Sequence, residues 1–185
     1  TTLAKAVNAD FSRIQFTPDV LPSDITGFSI FHRETGAMEY QPGAAICNLL
    51  LADEINRASS RTQSALLEAM EEGSVTVDGV THLIPQPFTV IATQNPTGSA
   101  GTQLLPDSQL DRFMMRLSIG YPEPAAEREM LRRKHGENHG QAVRKVADAA
   151  ALLTMRDEVS KVFVHEELYL SLIHISEPTR QAEIS

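Results

Sequence analysis

Two adjacent carboxylates, Asp53 and Glu54, directly follow the largely apolar residues 48–52, a run of strand length. Continuous apolar runs are typical of strands buried on both faces of a parallel sheet, and ligands bind beyond the carboxyl ends of such strands. The pair therefore suits a cation, a phosphate or an activated water. Asp53 is placed to hold Mg²⁺, and Glu54 to polarise a water that attacks a γ-phosphate. The structural alternative is an acidic cap before the next helix.

A polar amide follows a second apolar run. Residues 88–93 have the composition of another buried strand, and Asn95 comes directly before a proline. An amide at the end of a neighbouring strand could orient the attacking water or touch the γ-phosphate. Ordinary turn chemistry is the alternative, because Asn-Pro favours turns.

Two hydroxyls, Thr1 and Thr2, open a segment of helical spacing that leads into the β-like residues 11–16. A helix of this kind follows a phosphate-binding loop, whose last hydroxyl binds Mg²⁺ while the helix N-terminus faces phosphate. The glycines and the lysine of G-x-x-x-x-G-K would lie just before residue 1. N-capping is the alternative function of the two threonines.

The elements that must position these residues follow from local patterns. Short β-prone runs around polar or Asp-Gly turns predict two hairpins, over residues 28–40 and 75–84. An apolar stripe closed by Gly73 predicts a core helix over residues 64–72. Helical spacing over residues 106–116 places Arg112 and Arg116 on one face, and residues 117–121 are expected to form a last strand.

Composition limits the class of protein. The chain has 185 residues and a net charge of −8, which argues against a general nucleic-acid or anionic-membrane binder. Its one cysteine, Cys47, forms neither an internal disulfide nor a zinc cluster, so a reducing, cytoplasmic setting is expected. No apolar stretch is long enough to span a bilayer.

The C-terminal third differs from the rest. Residues 122–124 read as a linker, and the polar-rich residues 125–134 and 141–154 predict helices. His135 and His139 have a metal-compatible spacing, but an intervening glycine and the lack of a third ligand favour coincidence. Residues 170–185 resemble the translated read-through of a sequencing-library adapter, so we exclude this tail from the natural fold.

Five segments of the chain resemble the AAA+ ATPases, and within them the MoxR family. They occur in the family's order and spacing between Thr1 and about Tyr121: QFTPDVLPSDITG (15–27), LADEINRA (51–58), QSALLEAMEE (63–72), ATQNP (92–96) and QLDRF (109–113). The resemblance implies an α/β fold of the P-loop NTPase type, a parallel sheet flanked by helices with β-hairpin inserts. The expected domains are an N-terminally truncated ATPase core at 1–121, a linker and partial helical lid at 122–169, and the foreign tail at 170–185.

The resemblance also implies roles for single residues. Asp53 and Glu54 match the Walker B pair, which acts on Mg²⁺ and on the attacking water respectively. Asn95 matches sensor 1. Arg112 matches the arginine finger that reaches the γ-phosphate of the neighbouring subunit, with Arg116 as the alternative.

The two threonines match the hydroxyls that follow the phosphate-loop lysine, with Thr1 as the Mg²⁺ ligand and Thr2 beside the nucleotide. The hairpin at residues 29–40 matches the helix-2 insert, and residues 75–83 match the hairpin before sensor 1. In the family, such hairpins face the interior of a ring or a client protein.

The function implied is Mg²⁺-dependent ATP hydrolysis by a chaperone-like remodelling ATPase that self-associates into a ring, expected to be a hexamer. A von Willebrand A-domain protein is the expected kind of partner. Because the phosphate loop would precede residue 1 and the lid is short, we expect this chain by itself to be inactive. The alternative is a non-catalytic, nucleotide-binding-like adaptor. A nucleic-acid motor is disfavoured by the acidic charge.

Overall fold

The computed structural model of the chain describes residues 2–95, 105–135 and 143–169, with only the backbone at 133–135. The elements in chain order are α1 (Thr2–Ala6), β1 (Phe11–Gln15), α2 (Pro22–Thr26), β2 (Gly27–His32), β3 (Ala37–Pro42), β4 (Leu49–Asp53), a 3₁₀ turn (Ile55–Arg57), α3 (Ser60–Glu72), β5 (Ser74–Val77), β6 (Val80–Leu83), β7 (Thr89–Ala92), α4 (Asp107–Leu110), α5 (Pro124–His135) and α6 (Ala149–Val159).

A three-stranded parallel sheet forms the centre of the first part of the chain. Its strand order is β1-β4-β7, so that β4 lies in the middle. Gln15 of β1 is paired with Asp53 of β4, and Ala52 of β4 is paired with Ala92 of β7. The carboxyl ends of the three strands therefore meet at one edge. The predicted parallel α/β sheet is confirmed.

The core packs around β4. Leu50 and Ala52 of this strand are fully buried together with Phe16, Ile25 and Leu66. Helix α3 contributes Leu66 from its apolar stripe. The N-cap of α3 is Ser59, whose hydroxyl accepts a hydrogen bond from the backbone N–H of Thr62.

Glycine ends α3 as predicted. Gly73 has φ 62°, and its N–H donates to the carbonyl of Ala69. The left-handed backbone at this position is one that glycine adopts without steric cost. The end of the helix that the sequence predicted at Gly73 is therefore confirmed.

Both predicted hairpins are present. β2 pairs with β3 and β5 pairs with β6, each in antiparallel fashion. The rings of Tyr40 on β3 and His82 on β6 stack with a centroid separation of 3.6 Å, which joins the two hairpins. The Tyr40 hydroxyl also donates a hydrogen bond to the carbonyl of Thr26, at the end of α2.

Three sequence expectations about these elements were wrong. The strand at residues 88–93 is the edge of the described sheet, and Ile91 on it is 42% exposed. The helix expected over residues 106–116 ends at Leu110. Residues 117–121 form no strand, and their apolar side chains are exposed, because no other described segment pairs with them.

The C-terminal elements are helical, with shifted bounds. α5 matches its predicted position, but α6 begins at Ala149, well after residue 141. The chain divides into two compact units, Thr1–Ala149 and Ala150–Ser185. In the second unit, α6 continues to Val159 and buries none of its described side chains. The domain boundary at 121 stays a prediction.

Several predictions fall on residues outside the described ranges. These are Thr1, the side chains of His135 and His139, and the tail at 170–185. Over the ranges that are described, no helix is both long enough and apolar enough to cross a bilayer.

Candidate active site

Three of the predicted site residues lie at the carboxyl edge of the sheet. Asp53 ends β4, Glu54 follows it, and Asn95 lies three residues beyond β7. Backbone hydrogen bonds continue the pairing past the strands: the N–H of Thr93 donates to Ala52 at 2.9 Å, and the N–H of Ile55 donates to Thr93 at 3.0 Å. The acid pair and the backbone of Asn95 thus lie at the same edge of the sheet.

The Asp53 carboxylate is held from both neighbouring strands. Its Oδ2 accepts hydrogen bonds from Nε of Arg13 at 2.8 Å and lies 2.8 Å from Nη2 of the same guanidinium. Its Oδ1 accepts a hydrogen bond from the hydroxyl of Thr93 at 3.4 Å. The carboxylate is only 16% exposed, so these contacts orient it firmly.

Glu54 has an unusual backbone. Its φ of 55° and ψ of 45° lie in the left-handed region, which is rare for residues other than glycine. Its N–H donates to the hydroxyl of Thr93 at 2.9 Å, and its carboxylate pairs with Nη1 of Arg57 at 2.9 Å. The reversal of the chain at Glu54 directs the next residues into the 3₁₀ turn instead of continuing β4. The acidic N-cap alternative is not realised as such, because the Glu54 side chain makes no cap hydrogen bond.

Two buried amides hold the 3₁₀ turn. Asn56 is 2% exposed; its Nδ2 donates to the carbonyl of Asn95 at 3.1 Å, and its Oδ1 accepts from the N–H of Asn95 at 3.2 Å. Gln63, from α3, donates to the carbonyls of Ile55 and Ala58, both at 3.2 Å. The backbone of Asn95 is therefore tied to the turn that follows the acid pair.

Four residues of this site were missed by the sequence reasoning: Arg13, Asn56, Arg57 and Thr93. Arg57 had a local signal, because a basic residue three positions after Glu54 can pair with it. Arg13 and Thr93 had no local sequence signal, because their contacts with Asp53 depend on the order of the strands in the sheet.

The donor set of the site fits Mg²⁺. This ion prefers oxygen ligands and is usually bound through one or two carboxylates together with water and substrate phosphates. Asp53 supplies such a carboxylate, and its two oxygens retain acceptor capacity beyond the bonds from Arg13 and Thr93. Within the described ranges, no cluster of three or more His, Cys, Asp or Glu side chains forms a metal cage. An ion here would therefore be held by fewer than three such side chains of the described residues, together with other oxygen ligands such as hydroxyls, water and substrate phosphates.

The remaining candidates lie apart from the acid pair. The guanidinium of Arg112 pairs with the carboxylate of Glu71 near the end of α3. Glu71 lies 11 residues beyond Ser60, or about 16 Å along the helix from the end that is close to the turn. Because α4 ends at Leu110, Arg112 and Arg116 do not share a helical face. Thr2 is exposed at the start of α1.

A cavity lies away from the acid pair. A cavity of about 370 Å³ is lined by residues of α1 and of the segment that enters β1, at the amino ends of the strands. It contains none of the residues predicted for chemistry. The carboxyl edge is therefore the candidate site.

Comparison with known proteins identifies a family that the chain matches. The sequence profile of the ATPase family associated with various cellular activities (AAA) matches residues 1–115. The chain is 48% identical to the uncharacterized protein YeaC of Bacillus subtilis over 97% of its own length and 56% of that protein. It is 41% identical to the chaperone MoxR1 of Mycobacterium tuberculosis over 98% of its length and 48% of that protein.

A solved structure agrees as well. The crystal structure of a proposed ATPase from Cytophaga hutchinsonii superposes with a TM-score of 0.83 at 42% identity, covering 96% of this chain and 54% of that one. The chain thus spans about half the length of the relatives that it matches.

A parallel sheet with an acid pair at its carboxyl edge, together with these similarities, defines the class: the chain belongs to the AAA ATPase family. Within that class, its identity to the mycobacterial chaperone over nearly the whole chain makes it a MoxR-family AAA+ ATPase. The resemblance read from the five motifs is confirmed.

Proposed function

We propose that these residues form part of the active site of a Mg²⁺-dependent, chaperone-like ATPase. The observation that carries the proposal is the convergence of Asp53, Glu54 and Asn95 at one edge of the sheet, in a chain of the MoxR family. A carboxylate for the ion, a second for water and an amide for phosphate are the groups that phosphoryl transfer to water requires.

Each residue has one task in this proposal. Asp53 would hold Mg²⁺, which would supply positive charge next to the phosphate oxygens. Glu54 would accept the proton of a water whose oxygen bonds to the γ-phosphorus while the bond from phosphorus to the bridging oxygen breaks, so that ADP leaves and inorganic phosphate forms. Asn95 donates to the γ-phosphate or orients the water. Thr1 and Thr2 contribute hydroxyls, with Thr1 a second ligand of the ion.

Arg112 acts in trans. In its own chain it pairs with Glu71 near the far end of α3, which supports a role at a neighbouring subunit instead of at its own Asp53. An arginine that stabilises γ-phosphate charge in a neighbouring subunit can act only when the chains associate. We expect them to form a ring of six subunits. Such a ring would work on a client in the cytoplasm, with a von Willebrand A-domain protein as the expected partner.

The 185 residues by themselves are proposed to be inactive, because a phosphate loop supplies most of the grip on the nucleotide. The first test compares this chain with a loop-restored chain, defined as these residues preceded by a strand and a G-x-x-x-x-G-K loop and followed by a complete lid. We expect ATP hydrolysis only from the loop-restored chain. Hydrolysis by both, at equal rates, would contradict the assigned dependence on the loop.

The role of Glu54 is tested in the loop-restored chain. Glu54→Gln should bind ATP with unchanged affinity and turn over more slowly by about 10²-fold or more, because the amide polarises water poorly. Glu68→Gln, on the exposed face of α3, is the matched control and should leave turnover unchanged. If the loop-restored chain folds but neither binds nor hydrolyses ATP, the adaptor function replaces the enzyme.

The trans role of Arg112 is tested by mixing. Arg112→Ala and Glu54→Gln variants of the loop-restored chain should each be inactive alone. Their mixture should regain part of the activity, since some interfaces then combine an intact Glu54 with an intact Arg112. Arg116→Ala is the control and should retain turnover. A mixture as inactive as its components would place Arg112 elsewhere in the mechanism.

A further inference from the structure

The side chain of Asn56 pairs with the backbone of Asn95 in the way that one strand pairs with another. It accepts from the N–H of Asn95 at 3.2 Å and donates to the C=O of the same residue at 3.1 Å. In an antiparallel ladder, hydrogen-bonded residues exchange both of these bonds. The amide of Asn56 thereby continues the support of this segment beyond Ala92, where β7 ends.

Burial makes this pairing specific to asparagine. Asn56 is 2% exposed, so its donor and its acceptor must both be satisfied inside the protein. An aspartate offers no donor for the Asn95 carbonyl, an apolar residue offers neither group, and glutamine is longer by one methylene. The amide therefore fits one placement of the Asn95 backbone.

The same side chain lies in the turn that follows Glu54. Asn56 is the central residue of the 3₁₀ turn, and Gln63 from α3 donates to the carbonyl of Ile55 in this turn and to that of Ala58 directly after it. The N–H of Ile55 and the hydroxyl of Thr93 already join this turn to β7. The backbone of Asn95 is thus linked to Glu54 through a short series of hydrogen bonds.

We propose that Asn56 is a positioning residue that holds Asn95 at a set distance from Glu54. Its consequence for hydrolysis rests on the proposed function, in which Asn95 contacts the γ-phosphate and Glu54 polarises the water. Loss of the amide would let Asn95 move relative to Glu54. A displacement of about 1 Å can lower a reaction rate by about 10²-fold.

The placement itself is tested in the 185-residue chain, without nucleotide. Amide hydrogen exchange followed by NMR should show the N–H of Asn95 protected in the wild type and exchanging about tenfold or more faster in Asn56→Ala. Asn56→Asp keeps the acceptor and should keep that N–H protected. The control is Thr62→Val, which removes a buried hydroxyl whose hydrogen bonds go to the carbonyl of Val20 and the hydroxyl of Ser59 instead of to Asn95. Equal exchange at Asn95 in Asn56→Ala and Thr62→Val overturns the proposal.

The consequence is tested in the loop-restored chain. Asn56→Ala should lower kcat by about 10²-fold while KM for ATP changes by less than about threefold, because Asn95 acts in the transition state. Asn56→Asp should give an intermediate kcat, which also serves if the alanine variant fails to fold. Thr62→Val should lower the melting temperature about as much as Asn56→Ala does, but it should leave kcat unchanged. A fall in kcat no larger than that of Thr62→Val overturns the catalytic consequence.

The two tests separate this inference from the proposed function. If the wild-type loop-restored chain does not hydrolyse ATP, the proposed function has failed, and the catalytic consequence fails with it. Hydrogen exchange at Asn95 then still decides whether Asn56 holds this residue in place.

Discussion

The hydroxyl of Thr93 accepts a hydrogen bond from the backbone N–H of Glu54, with 2.9 Å between oxygen and nitrogen. The same hydroxyl donates to Oδ1 of Asp53 at 3.4 Å. One side chain beyond the end of β7 therefore contacts both members of the acid pair on the adjacent strand. This contact supports the left-handed backbone of Glu54 at the point where the chain leaves the sheet.

Replacing Thr93 by valine should destabilise the fold by about 1 kcal/mol, since it removes the hydrogen-bonding hydroxyl while keeping the branched shape of the side chain. Urea unfolding followed by circular dichroism measures the change. Thr89→Val is the control, because Thr89 is exposed on the same strand, and its effect should stay within about 0.5 kcal/mol. Equal midpoints for the two variants would show that the Thr93 hydroxyl contributes nothing to stability.

Glu54 should be a site where function and stability oppose each other. Its left-handed backbone costs about 1 kcal/mol for a residue with a Cβ, and glycine avoids that cost. Glu54→Gly should therefore be more stable than Glu54→Gln by about 0.5–1 kcal/mol, although both lose the carboxylate. Thermal unfolding of the two variants gives the comparison.

Glu68→Gly tests whether this effect comes from the backbone. Glu68 lies in the middle of α3, where glycine costs about 1 kcal/mol relative to good helix formers. Compared with glutamine at the same position, glycine should thus increase the stability of the fold at position 54 and decrease it at position 68. A loss of stability at Glu54 as large as that at Glu68 would contradict the strain assigned to Glu54.

The parts of the fold that the sequence predicted are those with local causes. Asp78 and Gly79 both have positive φ, as the two-residue turn of a tight hairpin requires, and Gly73 ends α3 in the left-handed region. Residues 117–121 have the composition of a strand, yet a strand exists only where another segment completes its hydrogen bonds. Composition carries no information about that partner.

The residues of the candidate site also differ in whether a local sequence pattern predicted them. Asp53, Glu54 and Asn95 were predicted because each follows an apolar run, and parallel strands bring such positions to one edge. Arg13 and Asn56 were missed, since their contacts to Asp53 and Asn95 connect positions about 40 residues apart and depend on register. Whether Arg112 reaches a neighbouring subunit stays a prediction.

Gly27 should not tolerate a side chain. Its φ is 92°, and a Cβ at this position would collide with the backbone carbonyl oxygen of Gln41 and would lie 2.6 Å from Cε2 and 2.7 Å from the hydroxyl oxygen of Tyr40. Gly27→Ala should destabilise the fold by about 3 kcal/mol, because backbone strain adds to overpacking against Gln41 and Tyr40. The melting temperature measures this loss.

Gly36→Ala separates the two causes. Gly36 has φ 67° in the turn between β2 and β3, and a Cβ there would meet nothing within 4 Å. Only the backbone strain of about 1 kcal/mol remains at this position. If both alanine variants lost the same stability, the close approach of Gln41 and Tyr40 to Gly27 would have no energetic effect.

The Cys47 thiol should be inert in the folded protein. Cys47 is 3% exposed, and burial raises the pKa of its thiol above the usual value. The reactive thiolate is therefore scarce near pH 8, and Ellman's reagent should modify Cys47 only as fast as the chain opens. Ser64→Cys in a Cys47→Ser background gives the reference rate, because Ser64 is exposed on α3. Equal rates for the two thiols would contradict the burial of Cys47.

The raised pKa of Cys47 also makes stability depend on pH, and the sign follows from proton binding. The folded state holds the thiol proton more tightly than the unfolded state, whose thiol ionises near pH 8.5. Below that pH both states are protonated, so the free energy of unfolding is unaffected by this group. Above it the unfolded state loses the proton first, and stability should fall as pH rises. Cys47→Ala lacks this term, so the difference in stability between wild type and variant should shrink from pH 7 to pH 9.5. A difference that stays constant, or that grows, would show that the folded thiol ionises as readily as the unfolded one.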